Sequence, residues 1–248
     1  MAEQTSIITL KGNVGKINFY KSRNGYQARE KGGVSKSRIM TDPRFARTRE
    51  NIAEFRTNAT SVKLLKDTIR PAIVKIGDSK LHQRLVRQLM TVLRTDPVNI
   101  RGERQVAEGN WALLQGLEMN SNASLSDSLK TGLSIADSTE DWEVSIPGFL
   151  PADYLAIPEG TTHFRVFAAG ASLDFSTGDR AFLMDTTPSL PINQATLSLS
   201  LAVSKATLSH THRVFLAGIE FMQNVNGQDY PLNNGAHNAA SILKTERQ

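Results

Sequence analysis

His210-Thr211-His212 sets two imidazoles two residues apart, a spacing that puts both on one face of a strand or both in a turn. A structural metal wants four ligands and a catalytic one about three. No third ligand lies nearby in sequence, no pattern places His163 or His237 beside the pair, and the chain has no cysteine. The pair reads as a polar turn entering a strand at Arg213, and no metal is expected. Gly12-Asn13-Val14-Gly15-Lys16 has the glycines and lysine of a phosphate loop. Such a loop needs Gly, four residues, Gly, Lys and then a hydroxyl residue, so that backbone N–H groups wrap phosphate and the hydroxyl reaches Mg²⁺. Here the spacing is short and Ile17 follows the lysine, so a turn is expected. Glu140-Asp141-Trp142-Glu143 gathers carboxylates, but acid–base work needs surroundings that push two pKa values apart, and solvated loop acids are the simpler reading. No serine sits in a nucleophile-elbow pattern. The chain is read as a non-enzyme without cofactor.

The remaining chemistry is that of a basic surface. The first 110 residues carry 22 Lys/Arg against 10 Asp/Glu and the other 138 carry 7 against 14, so a net +5 conceals halves of +12 and −7. A basic half suits nucleic acid, an anionic membrane or an acidic partner. An acidic partner exists on every other copy of the same chain.

Three elements must position those cations. Ile17–Ser22 and Tyr26–Glu30 flank Asn24-Gly25, the dipeptide favoured in two-residue type I′ hairpins. Pairing Arg23 with Tyr26 places Tyr20 opposite Arg29, with Asn18 and Lys31 on the same face, and Lys36 and Arg38 follow in a basic loop. Thr41-Asp42-Pro43 then opens a helix that runs to about Arg70, where Pro71 stops it. Its residues fall into heptads: Phe45, Ile52 and Ala59 share one seam position, Phe55, Val62 and Ile69 the other. Every e position is basic (Arg49, Arg56, Lys63, Arg70), a stripe about 31 Å long that is expected to lie against acidic residues. A second helix, Asp78–Thr95, buries Leu81, Leu85, Leu89 and Val92 and turns Lys80, Arg84, Arg87 and Arg94 outward. Thr95-Asp96-Pro97 repeats the cap signal and predicts a short third helix through Glu108.

From Trp111 onward strands and turns dominate. Leu197, Leu199, Leu201 and Val203 alternate with Ser198, Ser200, Ala202 and Ser204, as in a half-buried strand. His163–Phe175 and Arg213–Met222 are apolar on both faces, with Phe215, Ala217, Ile219 and Phe221 one way and Val214, Leu216 and Met222 the other. Such strands need a second layer, from the N-terminal helices or another subunit. Asn226-Gly227 marks a further hairpin. The fold class is therefore α+β: a basic N-terminal β-hairpin plus long helices over 1–110, then an acidic antiparallel β-sandwich over 111–248, of roughly seven to nine strands.

Leu10-Lys11-Gly12, Asn18-Phe19-Tyr20-Lys21, Asn24-Gly25-Tyr26, Arg29-Glu30-Lys31-Gly32-Gly33-Val34 and Asp42-Pro43 through Phe45-Ala46-Arg47-Thr48-Arg49-Glu50-Asn51 form a distinctive N-terminal string. Gly218-Ile219-Glu220-Phe221, Asn226-Gly227 and Tyr230-Pro231-Leu232 through Asn234-Gly235-Ala236 match it at the other end. The chain resembles an uncharacterised family of bacterial proteins, mostly from Bacteroidota. The resemblance implies a bacterial origin and a two-part layout, and carries no activity, cofactor or site residue.

No apolar run reaches 18 residues, so no transmembrane segment is expected, and Met1–Gly12 lacks a signal-peptide pattern, which points to the cytoplasm or to release by lysis. The second helix lacks the Trp and Phe anchors of an interfacial helix, which disfavours lipid. The leading expectation is a structural subunit of a self-assembling filament, tube or shell, because repeated head-to-tail contact makes rings or filaments. The alternative is nucleic-acid binding, with the stripes on phosphates and Tyr20 and Tyr26 stacking on bases.

Overall fold

The computed structural model describes residues 2–3 and 9–248. Two compact units meet between Arg49 and Glu50.

In the first unit, β1 (Ala2–Glu3), β2 (Gly12–Val14), β3 (Ile17–Ser22) and β4 (Gly25–Glu30) form an antiparallel sheet in the order β1-β4-β3-β2. The hairpin exists, but its register is not the one expected. Ser22 pairs with Gly25, so Arg23-Asn24 make the turn and Tyr20 faces Gln27. Gly25, not Asn24, has positive φ (+96°), as in a type I turn followed by a left-handed glycine. The shift is two residues, so Asn18, Tyr20 and Arg29 still share a face. Lys36–Thr41, expected as loop, is a helix (α1) capped by the Ser35 hydroxyl, which accepts from the Arg38 N–H at 3.2 Å. Asp42 caps where its sequence predicts, but it opens a 3-10 turn, Pro43–Phe45, ahead of the long helix.

Helix α2 (Ala46–Thr68) runs into the second unit, followed by α3 (Arg70–Ile73) and α4 (Leu81–Arg94). The heptad seam does not become the buried face along its whole length. Val62 and Ile69 are buried, but Ile52 is 52% and Phe55 57% exposed, while Glu54 and Asn58 are buried instead. The reason is a polar one. Asn58 Nδ2 donates to the Val86 carbonyl of α4 at 2.9 Å, and Glu54 takes an arginine from the loop after α4. Those bonds fix the rotation of the first half of α2.

The third helix expected after Thr95 is absent. Asp96 caps a loop rather than a helix: its carboxylate accepts from the Val98, Asn99 and Gln105 N–H groups and from Asn99 Nδ2 at 2.7–3.1 Å. Between Thr95 and Leu114 the chain makes only single 3-10 turns, at Val106–Glu108 and Trp111–Leu114.

Nine strands complete the unit. Strands β5 (Ser134–Asp137), β6 (Asp141–Ile146) and β10 (Leu199–Ser204) form a three-stranded antiparallel sheet. The other sheet has six strands: β7 (His163–Leu173), β8 (Arg180–Thr186), β9 (Leu190–Pro191), β11 (His212–Val225), β12 (Gln228–Pro231) and β13 (Ala239–Arg247). Strands β7 and β11 lie at its centre and carry two cores. Phe164, Val166, Phe215, Ala217 and Ile219 pack with Trp142, Val144, Leu201 and Val203 of the smaller sheet. Phe167, Ala169, Val214 and Leu216 pack with Val62, Leu65, Leu85, Leu89 and Val92 of the helices. The expected split of β11 side chains is reproduced, and the chain's own helices supply its second layer. Residues 50–110, grouped by charge with the N-terminal region, thus share a core with the strands. At Gly218, directly opposite Phe167, an added Cβ would run into the Phe167 ring and the Ala239 carbonyl. The β10 strand begins at Leu199, leaving Leu197 outside it and 86% exposed. Asn226 (φ +54°) and Gly227 (φ +81°) form the expected type I′ turn between β11 and β12.

Candidate assembly interface

The first unit holds 11 Lys/Arg against 3 Asp/Glu, a net +8 in 49 residues; the second holds 18 against 21, a net −3. Among the described residues 9–49 none is buried. Strand pairing sorts the side chains of its sheet into two faces. Asn13, Asn18, Tyr20, Gln27 and Arg29 share one, polar and basic. Val14, Ile17, Phe19, Tyr26 and Ala28 share the other, largely apolar, with Lys21 and Glu30 at its ends. A sheet with one apolar face ordinarily buries it. Here Val14 and Ile17 are exposed and Phe19 and Tyr26 only half-buried.

The Arg29 guanidinium lies 5.4 Å from the centre of the Tyr20 ring, and Lys21 Nζ the same distance from that of Tyr26. The first contact fits the aromatic and basic face expected. The second is on the opposite side, so the two tyrosines do not form one stacking platform. Gly12–Val14 is strand β2 and Gly15-Lys16 its turn, with Gly15 at φ +57°.

The basic stripes separate into framework and surface. Arg49 is framework: Nη1 donates to the Ile39 and Asp42 carbonyls at 2.8 and 3.0 Å. Arg84 is framework too, half-buried, with Nη2 on Asp78 and Nη1 on the Glu118 carbonyl, both at 2.5 Å. Asp78 also accepts the N–H of Lys80 and of Ser121. Burial opposes its charge, but these donors outweigh burial and hold its carboxyl below the ordinary range. Arg56, Lys63, Arg70, Lys80, Arg87 and Arg94 are exposed, and among the described residues none has a carboxylate within 4.0 Å. The acidic lining expected beside the stripe of α2 is therefore not within the chain at those positions.

Much of the remaining charge is consumed internally. Lys205, almost fully buried, donates to Asp137 at 2.6 Å, to the Ser138 carbonyl at 2.7 Å and to Glu246 at 3.0 Å, and lies 4.9 Å from the Trp142 ring centre. Lys244 pairs with the same Asp137, and Lys75 with Glu220. His212 is a core residue, packed on Trp111 and Phe175 with Nε2 on the Ala107 carbonyl at 2.9 Å. Burial pushes its pKa down, against the opposing pull of the Ala107 bond. Among the described residues no three His, Asp or Glu side chains gather as a metal site. No helix among them is long and apolar enough to cross a membrane.

Sequence reasoning missed the apolar face of the first sheet. The alternation Ile17, Phe19, Lys21 on β3 and Val14 on β2 was available, but the basic residues between them drew the reading to the other face. The Glu54–Arg104 and Asp78–Arg84 pairs had no signal beyond isolated opposite charges. Comparison of the chain with family models, with curated proteins and with solved structures returns no match.

Proposed function

We propose that the protein is a structural subunit that assembles with copies of itself, using residues 9–49 as a basic arm that docks on a neighbour. One observation carries the reading: the arm forms a sheet with an apolar face, yet none of its described residues is buried. Ordering a backbone costs about 1–2 kcal/mol per residue, and a segment with no core recovers little of that from hydrophobic burial. A partner that covers Val14, Ile17, Phe19 and Tyr26 supplies the missing burial. Charge favours another copy as that partner, since +8 on the first 49 residues meets −3 on the rest of the chain. A contact between two different patches repeats head to tail, giving a ring if it closes and a filament, tube or shell element if it does not. Light scattering and electron microscopy of the full chain test this. Assemblies that grow with concentration are expected, and Ile17→Asp with Phe19→Asp should reduce them to monomers. A monomer at all accessible concentrations removes the proposal.

Nucleic-acid binding is the second reading, supported by the six exposed, unpaired cations Arg56, Lys63, Arg70, Lys80, Arg87 and Arg94. On that reading affinity for an oligonucleotide falls steeply with salt. Removing any one phosphate contact lowers the log–log slope by about one. No binding at about 50 mM salt excludes it.

A further inference from the structure

Strand β5 ends the three-stranded sheet, so one of its edges has no neighbouring strand, and all four of its residues are exposed. Ser138 donates its N–H to the Asp141 carbonyl at 3.0 Å. Antiparallel pairing alternates from there, turning the backbone groups of Ser134 and Ala136 toward β6 and those of Ile135 and Asp137 toward the open edge. Proteins ordinarily guard such edges with lysine, proline, a bulge or an inward-pointing charge. Ser-Ile-Ala-Asp has no lysine, proline or bulge, and its one charge, Asp137, is neutralised by Lys205 and Lys244. The opposite edge of the same sheet is guarded: on β10 the Ala202 N–H donates to the Asp185 carboxylate at 3.1 Å.

The core is also open along β5. Ile135 lies opposite the buried Val144 and shares its face, yet it is 40% exposed. Leu133, two residues before it, lines a cavity of about 340 Å³ with Glu118, Leu125, Leu129, Lys130 and Leu243. On the outer side, on the strand next to the edge, stand Asp141 and Glu143.

The arm carries the complement. Its edge strand β2 is exposed throughout, lies between Lys11 and Lys16, and puts Val14 on the apolar face and Asn13 on the polar one. We infer that β5 is the acceptor edge for β2 of a second copy, so that the sheet continues from one subunit into the next. Main-chain bonds between edges give such contacts affinity, and pockets beneath alternate side chains give them register. With its apolar face inward, β2 brings Val14 to the side of Ile135 and the cavity, and leaves Asn13 on the side of Glu143. The inference rests on the assembly reading above.

The chain has no cysteine, so Asn13→Cys and Ala136→Cys, on the same face of the joined sheet, each create a single thiol. The two variants are mixed and treated with a short bismaleimide. A crosslinked dimer holding one of each is expected, well above the yield from either variant alone. Dimers of Asn13→Cys with itself, or no crosslink in a sample that light scattering shows to be assembled, would overturn the β5 assignment while leaving assembly intact. A wild type that stays monomeric removes the assembly reading first and this one with it. Ile135→Pro gives a second measure, since it deletes an outward N–H without touching the β6 ladder. It should abolish assembly at an unchanged urea midpoint, and normal assembly of a folded Ile135→Pro counts against β5. Should that variant unfold, Ile135→Lys is read the same way.

Discussion

Glu54 and Arg104, fifty positions apart, form a two-pronged ion pair: Nε meets Oε1 at 2.7 Å and Nη2 meets Oε2 at 3.1 Å. The Gly102 N–H adds a third bond to Oε1 at 2.8 Å. The carboxylate is almost fully buried; burial opposes its charge, and Arg104 with the Gly102 N–H overcomes that and keeps its pKa low. A charged residue thus occupies the inward side of α2, and the apolar Ile52 and Phe55 face outward. The pair also ties down the loop that Asp96 organises.

Removing one partner of a buried pair leaves the other charge without compensation, which costs about 3 kcal/mol or more. Arg104→Met keeps volume and removes the charge, so urea denaturation should show a loss of about that size. Arg101, whose partner Glu50 is more exposed, serves as the control, and Arg101→Met should cost under about 1 kcal/mol. Equal losses at the two sites would show that burial of Glu54 carries no special weight.

His212 gives stability a pH dependence in the neutral range. Its pKa in the fold lies below the ordinary 6.5, chiefly through burial, with the Ala107 bond opposing that shift. Once the pH drops below about 6.5 the unfolded chain binds the proton and the folded one resists it, so stability present above that pH is lost as pH falls. The loss is at most about 1.4 kcal/mol per pH unit. His212→Phe should flatten the change in unfolding free energy between pH 7.5 and 5.5. The lowered carboxyls of Glu54, Asp78 and Asp96 act in the same direction, but only near and below their ordinary values around 4. An unchanged slope in His212→Phe would mean that other groups set it.

Where local pattern and burial agreed, the sequence was legible. The alternation of Phe215, Ala217 and Ile219 against Val214 and Leu216 identified a two-faced strand, and Leu81, Leu85, Leu89 and Val92 identified the inner face of α4. Asn226-Gly227 made its turn because both residues take positive φ there. The same dipeptide at 24–25 did not, because Gly25 alone took that conformation and the turn moved back to Arg23-Asn24. Asp96-Pro97 illustrates a second limit. A capping carboxylate serves any cluster of free N–H groups, and here they belong to a loop. At the proposed interface the cations were legible but their employment was not. Arg49 and Arg84 are spent on backbone carbonyls, those of Ile39 and Asp42 and that of Glu118, which no side-chain pattern announces.

The first half of the α2 seam offers a separate test. Ile52 and Phe55 are exposed beside Arg56, the arrangement in which charge chooses a partner for an apolar stripe. Arg56→Glu with Lys63→Glu changes two exposed residues that make no ion pair within 4.0 Å among the described residues, and only Asp67, one turn from Lys63, adds a weak like-charge contact, so monomer stability should move by no more than about 0.5 kcal/mol per site. Assembly should be lost, since the partner surface is acidic and like charges now meet. Normal assembly of the double variant would make this stripe a solvated face, and would leave the arm as the sole candidate contact.

Salt separates the two forces proposed for the arm. Charge attraction between a first unit of +8 and a second of −3 is screened as the Debye length drops from about 8 Å at physiological salt to about 3 Å near 1 M. Burial of Val14, Ile17, Phe19 and Tyr26 is not screened, and it strengthens in sulfate. Assembly followed by light scattering should therefore weaken in 1 M chloride without vanishing, and should hold better in sulfate of equal ionic strength. Phe19→Asp should abolish it in both salts, because it places a charge in the middle of the apolar face opposite Ala28. Complete loss of assembly in chloride and in sulfate alike would mean that charge alone holds the copies together, and the apolar face of the arm would then need another occupant.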